Sequence, residues 1–357
     1  MKDEDLVLVG TCYGSVDNIK KNKKDKNISK KYLWKLPKTK IPQGIESGYF
    51  YGVDYYDRHC LTISTQQGCF LSKLEKPCKF CITGQKKYLG QLSTKQILQQ
   101  ILFLIYDNKI IENKKPIEVA YMGMGEPGFN YEEVAKSIEY SEKIFKKLNL
   151  ESKRYIFATI GIPESIIKLG KDISNGRFGD GKIRLHLSLH AHTDEMRNEI
   201  VPANKIYPIK DIIKSTKRYI EEIEKIPSSD KKISVNYMMF NNFETDNGKK
   251  YTTINKESMD ALAGLFNDTK HFRPILCEFN ESWTKNEPVS YKKALKLKKY
   301  LEEKGYDAKI FGSFGHNINL ACGQLSGDLN QKNLCKATKE QKKIILEINK
   351  IIAKELK

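Results

Sequence analysis

From residue 92 onward the chain keeps switching between two hydrophobic periods, and this alternation constrains its fold more than any other feature. "LSTKQILQQILFLIYDN" has the spacing of a helix, with Ser93 and Gln96 placed for a capping box. "PIEVAYMG" is a short β-rich run that ends in glycine. "NYEEVAKSIEYSEKIFKKLN" is amphipathic, with acids in its first turn and lysines in its last, as the helix dipole favours. The strand-like runs "RYIFATI", "IRLHLSLH", "ISVNYMMF", "RPILCEF" and "DAKIFG" then alternate with four further helical patterns. "KEQKKIILEINKIIAKELK" closes the chain as one more amphipathic helix. Strand–helix alternation implies a parallel sheet covered by helices. About six such units predict an α/β fold built on an open, partial (β/α)6 barrel, with function at the carboxyl ends of its strands. The expected division is a short basic and β-rich lead-in over 1–60, the barrel core over 61–330 and a C-terminal helical segment over 331–357.

Three of the eight cysteines fall in one stretch, "GCFLSKLEKPCKFC", as Cys69, Cys78 and Cys81. Three thiols are an odd number for disulfides and one short of a full zinc set. Iron–sulfur clusters take cysteine thiolates, and three ligands leave one iron of a 4Fe–4S cluster open to a substrate or cofactor. Zinc competes on spacing alone, because catalytic zinc also keeps an open position, and His59 and Cys60 lie upstream as further donors. No run approaches the roughly 20 apolar residues of a membrane helix. The start "MKDEDLVLVG" lacks the layout of a signal peptide. The expectation is a cytoplasmic protein, monomeric and free of membrane, with reduced thiols.

Lysine and arginine exceed aspartate and glutamate by 62 − 44 = 18, which points to a polyanion such as nucleic acid as partner. The block "KKNKKDKNISKKYLWKLPKTK" places Tyr32 and Trp34 among lysines. That pattern suits phosphate contacts with base stacking, or equally a solvated tail.

Phe80, between the last two thiols, moves the balance from zinc to iron. With "TGQKKYLGQLSTKQI" behind it, "CKFC" resembles the radical S-adenosylmethionine enzymes, whose usual pattern is Cys-x3-Cys-x-aromatic-Cys; here eight residues separate Cys69 from Cys78. A longer loop costs little closure entropy. "STQQGC", "YMGMGEP", "LSLHAHTDEMRNEIVPANK", "EFNES" and "ACGQLSGD", in this order at strand ends, are similar to the adenine-C2 methyltransferases of ribosomal and transfer RNA and their adenine-C8 relatives. The resemblance implies a 4Fe–4S cluster on Cys69, Cys78 and Cys81, an external electron donor, and RNA as substrate. It implies that S-adenosylmethionine is held by Phe80, Gly125, Glu126, Ser188, His190 and Asn280. On a strand, Ser188 and His190 would face the same side. It further implies that Cys322 carries a methyl group as methylcysteine before transfer to adenine.

Two departures stand out. The family's second cysteine, which releases the protein–RNA adduct, corresponds to Thr62, with Cys60 two residues earlier on the same strand face. The family's serine-rich turn reads "ATIG", Ala158 to Gly161. Glu46 matches a base for the adenine proton. The alternatives are a radical enzyme of the same fold that no longer transfers methyl groups, and a zinc-containing RNA-binding protein.

Overall fold

The structure is a computed structural model that describes residues 5–15, 28–37, 43–52, 56–179, 182–227, 231–245, 248–280, 289–312, 319, 323–331 and 333–357. Its main sheet has eleven strands. Four lead in: β1 (Val7–Ser15), β2 (Ile28–Lys35), β3 (Ile45–Gly52) and β4 (Tyr56–Thr62). Six follow: β5 (Ile117–Tyr121), β6 (Ser152–Thr159), β7 (Ile183–Ser188), β8 (Ile233–Met239), β9 (Phe272–Glu278) and β10 (Lys309–Phe311). The short β11 (Cys335–Lys336) pairs with β1 at the far edge. From β4 through β10 every pairing is parallel, and from β4 back through β3 and β2 to β1 every pairing is antiparallel.

Helices follow the parallel strands in turn: α1 (Thr94–Asp107), α2 (Tyr131–Lys147), α3 (Pro163–Ser174), α4 (Ile209–Ile223), α5 (Lys256–Phe266) and α6 (Tyr291–Glu303). Six strand–helix units and a seventh parallel strand therefore realise the predicted (β/α)6 architecture. Each helix starts where its sequence supplies a start. The Ser93 side chain accepts the Gln96 N–H and the Gln96 side chain reaches back, which closes the expected capping box. The α2 helix carries Glu132 and Glu133 in its first turn and Lys146 and Lys147 in its last. Outward-facing strand residues such as Leu61, Val119, Tyr155, Leu185 and Val235 bury against these helices in one core.

The N-terminal strands correct one expectation. Tyr32 and Trp34 are not available to stack on bases: both are fully buried. Each meets the Phe103 ring of α1 edge-on, at centroid distances of 5.5 and 4.9 Å, and the Trp34 indole N–H donates to Ser47 Oγ at 2.9 Å. Lys31, in the same basic block, is buried 3.6 Å from Glu46. The alternation within β2 sends these side chains to the two covered faces of the sheet. The described strands of the lead-in are thus continuous with the barrel sheet. The C-terminal helix α7 (Lys339–Glu355) packs on α1, burying Ile348 and Ile352, and Gln99 Nε2 donates to Asn349 Oδ1 at 2.7 Å. No described helix is long and apolar enough to cross a membrane.

Candidate active site

The segments that follow the parallel strands are knitted together at one end of the sheet. The run after β4, "ISTQQGC", hydrogen-bonds to the run after β5, "MGMGEP". Gly123 N–H donates to Ile63 O at 3.0 Å, Thr65 N–H to Met124 O at 2.9 Å, and Met124 N–H to Ser64 Oγ at 2.7 Å. Gln66 is the central tie. Its Oε1 accepts the Glu126 N–H at 3.1 Å and the Phe70 N–H at 2.9 Å, so it links the residue after Cys69 to the glycine-rich turn. Gly125 sits at φ +102°, and a Cβ there would lie 2.6 Å from the Gln66 Cβ, so only glycine fits.

The long spacing between Cys69 and Cys78 is absorbed locally. Phe70–Lys73 forms a short helix, Glu75 takes a left-handed conformation, and Leu71 is buried as an anchor. Cys69, Cys78 and the half-buried Cys81 then share one apolar cluster with Phe80, Ile160, Met196 and Phe279. Burial pushes all three thiols up in pKa, and the charge of Arg197 opposes this at Cys78. Among the described residues no group of three His, Cys, Asp or Glu side chains is arranged to hold a single metal ion. A 4Fe–4S cluster instead takes one thiolate at each of three irons, and the three cysteines that would supply them belong to one apolar cluster. The upstream donors weighed for zinc do not join: His59 faces the opposite side of β4, bonded through Nδ1 to the Tyr49 hydroxyl at 2.9 Å.

Phe80 shares the apolar cluster of the thiols, and the charge of Glu126 reaches Cys69 and Cys78. The His190 ring meets Phe80 edge-on at 5.0 Å. His190 does not continue the alternation of β7, which ends at Ser188; its φ is +60°, so the same-face argument fails and a left-handed turn aims the ring. Its Nδ1 is buried without a hydrogen-bond partner among the described residues. Burial and then Arg197 hold its pKa down at about 3, so the ring is neutral. Glu126 Oε1 accepts the Gly128 N–H and Oε2 the Ile160 N–H, both at 2.8 Å. The carboxylate thus also caps the turn at Pro127, and burial raises its pKa to about 7. In "ATIG", the Thr159 hydroxyl accepts the Gly161 N–H at 3.1 Å and shapes the turn that the missing serines would have formed. Asn280 is buried just beyond β9.

Arg197 was not legible in advance. It is fully buried and donates to Leu189 O (3.0 Å), Asn204 Oδ1 (2.8 Å), Tyr207 O (3.3 Å), Ile160 O (2.5 Å) and Ser188 O (3.3 Å). A single guanidinium therefore ties the ends of β6 and β7 to the helix Asp194–Ile200. The available signal was a lone arginine among the acids Asp194, Glu195 and Glu199 of the motif "LSLHAHTDEMRNEIVPANK".

Glu46 lies on β3 two residues before Gly48, the partner of Thr62 at the end of β4, and its carbonyl accepts the Ser64 hydroxyl. It is fully buried, paired with Lys31 and bonded by the Gln331 side-chain amide, with Oε2 left without a hydrogen-bond partner among the described residues. Its backbone N–H meets Met124 Sδ at 3.3 Å, which brings it to the edge of the glycine-rich turn. Burial raises its pKa, against the opposing charge of Lys31. Thr62 pairs with Ala120 on β5 and Cys60 with Glu118, both on the inner face of the sheet. The Cys60 thiol points to Glu118 Oε1 at 3.8 Å, and burial, then Glu118, raises its pKa. Cys322 lies outside the described residues. Its neighbour in sequence, Gly323, accepts the Ile82 N–H at 2.8 Å, and Leu325 O accepts the Thr83 hydroxyl at 2.5 Å.

No family model matches the sequence. A probable dual-specificity RNA methyltransferase RlmN of Pseudothermotoga lettingae is 35% identical over 268 residues, covering 74% of this chain and 67% of that protein. The protein of the same description from Dictyoglomus thermophilum is 32% identical over 277 residues, 76% and 70% of the two chains. That of Thermotoga maritima is 32% identical over 309 residues, 84% and 78%. The crystal structure of a radical SAM methyltransferase from Sphaerobacter thermophilus superposes with a TM-score of 0.71 at 22% identity, covering 91% of this chain and 82% of that one, and shows the same fold. The relatives and the fold lead to one conclusion: the chain belongs to the RlmN family of dual-specificity RNA methyltransferases.

Proposed function

We propose that the chain methylates an adenine carbon of ribosomal or transfer RNA, with Cys322 as the methyl carrier. The observation that carries this reading is the hydrogen bond from Ile82, next to Cys81, to Gly323, next to Cys322. It ties the segment after the carrier cysteine to the loop that bears the three thiols. Cys69, Cys78 and Cys81 would hold the cluster, and thiolate binding to iron would relieve the burial cost of three neutral thiols in an apolar pocket. The cluster, when bound, supplies the one-electron reduction that turns S-adenosylmethionine into a hydrogen-abstracting radical. Phe80 and Asn280 would place the adenosyl group, Gly125 and Glu126 the methionine ammonium, and Ser188 and His190 the ribose and carboxylate. Neutral His190, with its open Nδ1, can make that contact without adding charge. Glu46 would accept the adenine proton at Oε2, held in place by Lys31 and Gln331. Cys60 is the inner-face thiol nearest Thr62 in register and would release the product. An external donor would feed the cluster, and the protein would act as a cytoplasmic monomer.

Peptide mass spectrometry on the fragment carrying Cys322, after anaerobic incubation with S-adenosylmethionine and reductant, tests the proposal. A methyl group on that sulfur is the expected result. An unmodified sulfur in protein that still yields deoxyadenosine would favour the second reading, a radical enzyme that has abandoned methyl transfer. The specific support for that reading is Thr62, which offers a hydroxyl and no thiol opposite Ala120.

A further inference from the structure

The extended loop between Cys69 and Cys78 lines an open groove of about 640 Å³. Ser72, Lys73, Glu75 and Pro77 come from the loop itself, and Lys79 lies between the last two thiols. Gly84 to Tyr88 and Pro202 complete the lining. The groove is built on the backbone that presents Cys78. Gln85 Nε2 donates to Cys78 O at 3.4 Å, and a Cβ on Gly84 would lie 3.0 Å from the Pro77 Cβ and 3.5 Å from Cys78 O. The Lys79 N–H donates to Ile200 O at 2.9 Å, which fixes the loop against the helix Asp194–Ile200.

The charge of the groove is one-sided. Lys73, Lys79, Lys86 and Lys87 stand against Glu75, 4 − 1 = +3. Lys73 and Lys87 are exposed, and Lys79 and Lys86 are half-buried. Among the described residues Lys73, Lys86 and Lys87 enter no ion pair, and Lys73 lies over the Phe70 ring at 5.5 Å. Elsewhere on the surface lysines meet carboxylates, as Lys147 meets Glu355 and Lys249 meets Glu195. Uncommitted cations gathered in one groove attract an anionic partner. The residue types narrow its class. Arginine forks suit phosphate, and the bases of a single strand stack on open aromatic faces. The lining holds no arginine, and its aromatic residue, Tyr88, meets Phe70 edge-on at 5.2 Å. Lysines alone suit a carboxylate-rich protein surface in a steered, salt-sensitive encounter, and electron-transfer interfaces are small encounters of this kind. A partner seated in the groove lies against the backbone of a cluster ligand, and electron tunnelling falls steeply with distance.

We propose that this groove docks the electron donor, an acidic protein with a one-electron centre whose carboxylates meet Lys73, Lys86 and Lys87. The inference rests on the reading above that Cys69, Cys78 and Cys81 hold the cluster. One electron passes from the reduced centre of the partner to the cluster, the partner is oxidised by one electron, and no proton or group moves with it.

Stopped-flow mixing of the anaerobically reconstituted holoenzyme with reduced carriers tests this. The probes are two acidic proteins, a flavodoxin and a plant-type ferredoxin, and reduced methyl viologen, a small cation. The readout is oxidation of each carrier, followed by its absorbance. At least one protein carrier should reduce the parent, and raising the salt from about 20 to about 300 mM should slow that step about tenfold. The triple variant Lys73→Gln, Lys86→Gln, Lys87→Gln should slow it about tenfold at low salt. Its reduction by viologen, its viologen-driven release of deoxyadenosine and its thermal melt should match the parent. A holoenzyme that takes no electron even from viologen would refute the cluster reading, and this proposal with it. Normal reduction by viologen with neither protein carrier active, or with a protein-carrier rate that the triple variant leaves unchanged, would overturn the docking proposal alone. Weaker binding of the variant to RNA, at an unchanged protein-carrier rate, would overturn it too and assign the groove to the RNA.

Discussion

Replacing Arg197 with methionine should cost the unliganded protein about 4 kcal/mol of stability. The figure follows from two opposing contributions. The guanidinium makes five hydrogen bonds between 2.5 and 3.3 Å. At the low end for charged donors, ~1.5 kcal/mol each, they sum to about 7.5 kcal/mol. Against this stands the desolvation of a fully buried cation. Burial lowers the Arg197 pKa from 12.5 to about 10, which corresponds to about 3 kcal/mol. Methionine recovers that cost and fills similar volume, but leaves the Leu189, Tyr207, Ile160 and Ser188 carbonyls without this donor. Urea unfolding of the apoprotein under reductant measures the loss, with fluorescence and circular dichroism transitions required to coincide. Arg197→Lys should rescue less than half, since one ammonium cannot span the same acceptors. A methionine variant within about 1 kcal/mol of the parent would refute the idea that Arg197 holds the ends of β6 and β7 together.

Gly125→Ala should reduce S-adenosylmethionine affinity at least tenfold in equilibrium binding, because its Cβ collides with Gln66 and the residue needs φ +102°; unchanged affinity would mean the turn does not shape the pocket. Glu126 makes a pH-dependent contribution. Its folded pKa, about 7, lies above the ordinary 4.5, so the contribution is fully present below about pH 4.5 and is lost as pH rises through about 7. The wild type should therefore lose about 3 kcal/mol relative to Glu126→Gln between those limits, and a pH-independent difference between the two unfolding free energies would count against the shift. Cys60→Ala should leave Cys322 methylation intact but trap a protein–RNA adduct on a denaturing gel. Because the Cys60 pKa is raised, turnover of the parent should climb about tenfold per pH unit between pH 7 and 9, and turnover by the alanine variant at the parental rate would remove Cys60 from the mechanism.

Much of the architecture was readable from residue order. The alternation of strand and helix periods needs only neighbours in sequence, and it specified six units, their order and the end of the sheet where function gathers. The Ser93–Gln96 cap, the placement of acids and lysines along α2, and the glycine-rich turn after β5 are likewise local. The clustering of Cys69, Cys78 and Cys81 was legible because thirteen consecutive positions hold all three thiols, and the added residues fold on themselves as a helical turn.

Other features depended on contacts between distant segments. A lysine-rich stretch reads as exposed until its alternate residues are seen to be covered by α1, which is why Tyr32 and Trp34 turned out to be core. His190 left the face of Ser188 because its backbone adopts a left-handed turn, which no local pattern announced. Arg197 acquires its role from carbonyls up to 37 residues away in sequence. Arg58 and Arg154 lie on different strands, nearly a hundred residues apart, and meet on Glu118 only because the registers align them. Periodicity determines which face a side chain takes; long-range pairing decides which side chains that face brings together.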